Sequence, residues 1–249
     1  MTSGLWIYTL DPVKFAVERL GLNPDPKQAL VLGRSARRGL LNCTRQWGKS
    51  TITAVKAVHR AVFEDGSLTV VLTPSARQSG EFVRKAAGFL KRLDIRPRGD
   101  GDNELSLLFP NGSRIVGLPG AEGTIRGFSA VSLLLIDEAA RVSDESYKAA
   151  SPMRAVGEGD LWLMSTPFGK RGFFWDTWAG PDRRWQRIEA PAPECKRISP
   201  DFLAQERESM GDRWFRQEYM CEFVGSDDSL FDRDLIDAAL SDSLAPLLV

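Results

Sequence analysis

The stretch from Leu40 to Thr51, LLNCTRQWGKST, most narrows what this chain can fold into. Two leucines ahead of Asn42 and Cys43 read as the end of a short buried strand. Gly48-Lys49-Ser50-Thr51 then opens KSTITAVKAVHRAVF, in which Ile52, Val55 and Val62 fall near one face of a helix expected from about residue 49 to 63. A strand, a tight loop and a helix in that order aim successive backbone N–H groups at an anion lying on the helix N-terminus. Lys49 adds a point charge, Ser50 a hydroxyl that can hold Mg²⁺, and Gly48 the close approach of backbone to phosphate. Thr44, Arg45, Gln46, Trp47 and Thr51 complete the candidate nucleotide-binding loop. Such a loop ordinarily begins with a glycine. Cys43 stands there instead, which is tolerable if the local φ is negative. Gly-Lys-Ser/Thr alone recurs by chance in roughly one chain in ten of this length; its place between a buried strand and an amphipathic helix argues against chance.

The rest of the chain repeats the alternation. LTVVLTP (68–74) is a buried β-branched strand, and SARQSGEFVRKAAGFLKRL an amphipathic helix with Ser75 as N-cap. Residues 104–118 read as two strands joined at Asn111-Gly112, a strong hairpin signal. AVSLLLIDEAARV and DLWLMSTP are two more apolar strands with polar ends. Strands alternating with helices predict a mostly parallel α/β sheet, with ligands bound beyond the strands' carboxyl ends. Four runs, ending at Cys43, Thr73, Asp137 and Ser165, finish there in small or polar residues. From about Pro181 the chain reads as Pro-rich and irregular. Two helices are then expected in SPDFLAQERESMGDRWFRQEYMCEFVG and one more in SLFDRDLIDAALSD.

Asp137 ends an apolar strand, the position for a carboxylate that holds a Mg²⁺ water shell. Glu138 follows directly and can polarise an attacking water as general base. Two adjacent acids at the end of a buried strand are costly without a metal or hydrogen-bond donors. Ser165 and Thr166 end the next strand where a γ-phosphate would lie, and Gly169 and Gly172 free the loop that follows. Arg45, Arg126 and Arg141 are candidate cations for a γ-phosphate, although each taken singly reads first as a surface charge or ion-pair partner. Gln28 could read an adenine edge or be an ordinary exposed helix residue. His59, the only histidine, cannot build a metal site by itself, and Trp47 could shield the loop.

Charge excludes little. The 33 basic and 33 acidic residues cancel, so a DNA-binding surface would have to be local. VRKAAGFLKRLDIRPR and GKRGFFWDTW mix cations with aromatics, but a solvated helix face explains them as well. The three cysteines have neither disulfide nor zinc spacing, which suits a reducing compartment. No apolar run is long enough to span a membrane, and the N-terminus lacks a signal-peptide pattern.

Taken together, CTRQWGKST, TIRGFSAVSLLLIDEAA, MSTPFGKRGFF and FRQEYMCEF resemble the N-terminal ATPase domain of the large terminase subunit of tailed bacteriophages, over about residues 28–223. In that family the loop often lacks its first glycine and carries Arg-Gln before Gly-Lys, as at Cys43, Arg45 and Gln46. The resemblance implies a P-loop NTPase of the additional-strand catalytic-glutamate type, with ATP and Mg²⁺ as cofactors. It implies that ATP hydrolysis drives double-stranded DNA into a procapsid. The implied partners are the DNA, further copies in a ring, a small terminase subunit and a portal protein, in the host cytoplasm and without a membrane. By position, Lys49 and Ser50 would bind phosphates and Mg²⁺, Asp137 the Mg²⁺ shell, and Glu138 would activate water. Ser165, Thr166 and Pro167 would couple hydrolysis to movement, and Gln28 would read adenine. Arg141 would be an arginine finger in trans and Arg45 the candidate in cis. Residues 1–195 would form the core, 196–230 a small helical lid and 231–249 the start of a linker to an absent nuclease domain, so no DNA cleavage is expected. The rival readings are a helicase-like translocase, which would need a second motor-like domain, and a nucleotide-gated assembly module with little turnover.

Overall fold

The computed structural model describes residues 6–33, 36–97, 105–120 and 127–225. Arg126, the helix expected in SLFDRDLIDAALSD, residues 226–230 of the expected lid and the expected linker lie outside them. Seven strands form one sheet: β1 (Arg38–Cys43), β2 (Leu68–Thr73), β3 (Ser106–Leu108), β4 (Arg114–Pro119), β5 (Leu133–Asp137), β6 (Asp160–Ser165) and β7 (Gln186–Ala190). Their order is β3-β4-β2-β5-β6-β1-β7. Every pair is parallel except β3–β4, the hairpin that turns at Gly112. Strand β6 lies between β1, which leads into Lys49, and β5, which ends at Asp137. That inserted strand is the feature expected of the additional-strand fold.

Helices cover both faces, which is why the central strands are apolar throughout rather than alternating. On one face Leu41, Val71, Leu133, Leu135, Trp162 and Met164 pack with α2 (Pro12–Leu20), α3 (Pro26–Leu32), α4 (Lys49–Phe63) and α5 (Ala76–Arg92). On the other, Leu40, Val70, Leu134, Ile136, Leu161 and Leu163 meet Val142, Phe173 and Phe174, as well as Ala150 at the end of α6 (Asp144–Ala150). Phe173 and Phe174 belong to α7 (Gly172–Ala179). Gly39 makes room for this packing: a Cβ there would lie 2.2 Å from the Trp162 ring. The short α1 (Trp6–Leu10) leads into α2. His59 is buried on α4, where Nε2 meets the Tyr8 carbonyl at 2.7 Å and the ring packs on Phe15 and Phe63.

The segment after Pro181, expected to be irregular, contains β7. This edge strand pairs with β1 over five residues, from Gly39↔Gln186 to Cys43↔Ala190. It has Ile188 and Ala190 inward and Glu189 outward, an alternation too short to stand out among prolines and charges. Beyond it, α8 (Pro200–Met210) and α9 (Asp212–Tyr219) are the two expected helices. Leu203, Phe215 and Tyr219 form a separate small core with Ala192. After α9 the chain returns to β1: Asn42 Nδ2 donates to the Cys221 carbonyl at 2.7 Å, and Thr44 Oγ1 to the Glu218 carbonyl at 3.0 Å.

Candidate nucleotide site

The loop from Thr44 to Gly48 leaves the carboxyl end of β1 and enters α4 at Lys49. Cys43 is still a residue of β1, paired with Ala190 and buried, and its φ is not positive. The missing glycine therefore leaves no strain. Burial pushes the Cys43 thiol up to about 12, so it stays protonated. The left-handed turns come later, at Gln46 (φ 64°) and Gly48 (φ 100°). Trp47 is buried in the core beneath the loop, so it anchors the loop rather than shielding it. Gln28 lies alongside: its Nε2 donates to the Trp47 carbonyl at 2.9 Å, while its Oε1 accepts from the Asp25 amide in the capping box of α3. Both ends of the amide are thus engaged, Nε2 by the loop and Oε1 by the start of α3. Lys56 reinforces the same junction, donating to the carbonyls of Val31 (2.9 Å) and Gly33 (3.1 Å) at the end of α3.

The acidic pair meets the loop here. Lys49 Nζ lies 3.0 Å from Glu138 Oε1. Ser50 Oγ donates to Asp137 Oδ2 at 2.7 Å, and the Glu138 amide to Asp137 Oδ1 at 3.0 Å. Glu138 is left-handed (φ 53°, ψ 43°), an uncommon conformation for a non-glycine residue. Such strain persists where its surroundings hold it, often at functional sites. Burial raises the Asp137 pKa above the usual carboxylate value, although Lys49 and the Ser50 hydrogen bond work against it. Burial pulls the Lys49 ammonium down, and the neighbouring carboxylates of Glu138 and Asp137 act the other way and favour its charged form.

Of the coupling candidates, Ser165, Thr166 and Pro167 are buried at the end of β6. Ser165 Oγ makes no hydrogen bond, whereas Thr166 Oγ1 accepts from Arg141 Nη1 at 3.1 Å. Arg141 also lies 3.3 Å from Glu138 Oε2 and 3.4 Å from Glu218 Oε1, with its guanidinium on the Phe168 ring. Arg45 Nε donates to Glu218 Oε2 at 2.6 Å. Both arginines therefore face their own chain's site.

One cleft of about 430 Å³ is lined by Arg45, Gln46, Gly48, Lys49, Ser50, Thr51, Gln78, Lys85, Glu138, Arg141 and Arg197, while Gln28, Thr44, Trp47, Asp137, Ser165, Thr166 and Pro167 do not line it. Gln78, Lys85 and Arg197, with Glu218 bonded to Arg45 and Arg141, are not marked as site residues by any local pattern, although Lys85 lies in VRKAAGFLKRLDIRPR and Glu218 in FRQEYMCEF. They come from α5, the segment before α8, and α9, and only the fold brings them in. The residues fit a magnesium nucleotide. Mg²⁺ is commonly held by one or two hard protein oxygens, with water and phosphates for the rest, and Ser50 and Asp137 offer a hydroxyl and a carboxylate in contact. Among the described residues no cluster of three or more His, Cys, Asp or Glu could hold a metal unaided, and no helix is long and apolar enough to cross a membrane.

Comparisons with known proteins point to one family. Residues 40–238 match the family model described as terminase large subunit, T4likevirus-type, N-terminal. The large terminase subunit of Thermus phage G20c is 26% identical, over 86% of this chain and 51% of that protein. The chain thus spans about half the length of the curated relatives it matches. The large terminase ATPase domain of Thermus phage P74-26 has the same fold, with a TM-score of 0.76 at 24% identity, over 86% of this chain and 100% of that one. A large terminase from a thermophilic bacteriophage, solved in complex with ATP-gamma-S, superimposes with a TM-score of 0.64 at 13% identity, over 80% of this chain and 52% of that one.

Proposed function

Because the chain belongs to the T4likevirus-type terminase large-subunit N-terminal family, we propose that it is the ATP-hydrolysing motor domain of a viral DNA-packaging terminase. In this reading it drives double-stranded DNA into a procapsid in the host cytoplasm. It works as a ring of copies with a small terminase subunit and a portal protein. Residues 1–195 form the motor core and 196–230 a lid.

The observation that carries the reading is the contact of Lys49 with Glu138 beside that of Ser50 with Asp137, with Lys49, Ser50 and Glu138 lining one cleft. Lys49 and Glu138 neutralise each other in the nucleotide-free chain. An incoming ATP offers Lys49 a better anion at its β- and γ-phosphates, where the amides of Gly48, Lys49, Ser50 and Thr51 add donors. Glu138, released from Lys49, becomes free to accept a hydrogen bond from the attacking water and orient it. Ser50 and Asp137 would hold Mg²⁺, which when bound supplies charge neutralisation of the phosphates. Arg141, bonded to both Glu138 and Thr166, links the hydrolytic acid to the coupling residues Ser165, Thr166 and Pro167. Its place supports action on its own chain's nucleotide, with Arg45 as a second cation beside it. Gln28 contributes by holding the loop at the Trp47 carbonyl, and adenine reading by its amide is part of the same proposal.

Steady-state ATP turnover by wild type and Glu138→Gln tests the proposal. The substitution removes the base but keeps the shape, so turnover should fall about 10²–10⁴-fold while MgATP binding persists. Equal, negligible rates in both proteins would point instead to the nucleotide-gated assembly module.

A further inference from the structure

Three arginines line the cleft, and they are not equivalent. Arg45 and Arg141 share the carboxylate of Glu218, which is largely buried between them. Arg197 makes no ion pair among the described residues. Its Nη2 donates instead to the backbone carbonyls of Gln46, at 3.1 Å, and of Trp47. Neutral carbonyls satisfy N–H donors but leave most of a guanidinium's charge unbalanced, and that planar fork matches phosphate oxygens two at a time. Its location is specific. A Cβ built on Gly48 would lie 3.4 Å from Arg197 Nη2, so the cation stands over the glycine where the loop backbone would come closest to phosphate. Arg197 also sits in the short segment between β7 and α8.

We propose that Arg197 is a phosphate-binding residue. It turns from the loop carbonyls onto the phosphates of a bound nucleoside di- or triphosphate, and so draws the segment leading into α8 toward the nucleotide. The inference rests on the nucleotide-binding reading above and adds a contact that neither the loop nor the acidic pair supplies.

Calorimetric titration of MgADP and of magnesium pyrophosphate into wild type, Arg197→Ala, Arg197→Lys and Lys49→Ala tests it, with the melting temperature of each protein recorded without ligand. Arg197→Ala should weaken both ligands about tenfold, at the low end for a charged hydrogen bond because the side chain is exposed. Arg197→Lys should recover part of the loss, and the ligand-free melting temperature should stay within about 2 °C. Unchanged affinities with a lowered melting temperature would make Arg197 a clamp on the loop and overturn the proposal. Weakened ADP with unchanged pyrophosphate would place the contact on the base and overturn it as well. Wild type that binds neither ligand, or Lys49→Ala that binds as well as wild type, would sink the nucleotide reading itself and this inference with it.

Discussion

At Asp137 two demands oppose each other. The carboxylate must be ionised to hold a metal, yet it is buried at the end of β5, and burial raises its pKa. An acid whose folded pKa lies above its unfolded value weakens the fold at pH values above the folded pKa. That penalty disappears once the pH falls below the unfolded value. Asp137→Asn keeps the size of the side chain. Its carbonyl can accept from the Glu138 amide, and its NH₂ can donate to a rotated Ser50 hydroxyl. The ligand-free variant should therefore melt about 2–4 °C higher than wild type at pH 7, for a gain on the order of 1 kcal/mol. The advantage should vanish near pH 3, and ATP turnover should be lost throughout. A variant that melts lower than wild type at pH 7 would show that the carboxylate is a net stabiliser. Cys43 was the more conspicuous oddity at this scale, and the structure makes it ordinary: position 43 is extended strand, and the positive φ values fall at Gln46 and Gly48.

Among the elements, β7 depends on a side chain that no local pattern announces. Arg187 donates to the carbonyls of Trp178, Asp182, Thr177 and Gly180, gathering the end of α7 and the turn that leads into the strand. Arg187→Ala strands these acceptors. It should cost about 2 kcal/mol, or roughly 4–8 °C in melting temperature, with the KM for ATP little changed. A melting temperature equal to wild type would mean that water replaces the guanidinium. Strands β1, β2, β5 and β6 were legible because both their faces are buried and their apolar runs are unbroken. Strand β7 was not, because an edge strand can carry Arg187 and Glu189 and still pair. The site divides in the same way. Lys49, Ser50, Asp137 and Glu138 sit beside strand ends and read directly from the chain. Arg197 lines the cleft, and Glu218 meets the arginines there, only through the return of the chain after β7; FRQEYMCEF marks the segment of Glu218 but assigns that residue no role.

For the molecule as a whole, the question is which chain an arginine serves. Arg141 contacts Glu138 and Thr166 of its own chain. If it acts there, a Lys49→Ala chain and an Arg141→Ala chain are each defective at their own site, and mixing them should yield no more turnover than the sum of the two alone. Recovery toward about a quarter of the wild-type rate in an equal mixture, the share of sites that pair an intact Lys49 with an intact neighbouring Arg141, would assign Arg141 to a neighbour's nucleotide.

The strand that leads to α8 and α9 is the outermost of the sheet, and its one neighbour is the strand that carries the phosphate loop. A pull on those helices along the strand axis loads every rung of that ladder together, in shear. A pull across the axis opens the rungs one after another, like a zip. Under tension such a joint resists in one direction and gives in the other, so the edge position of β7 sets a preferred line of force that begins at the loop where phosphate would bind.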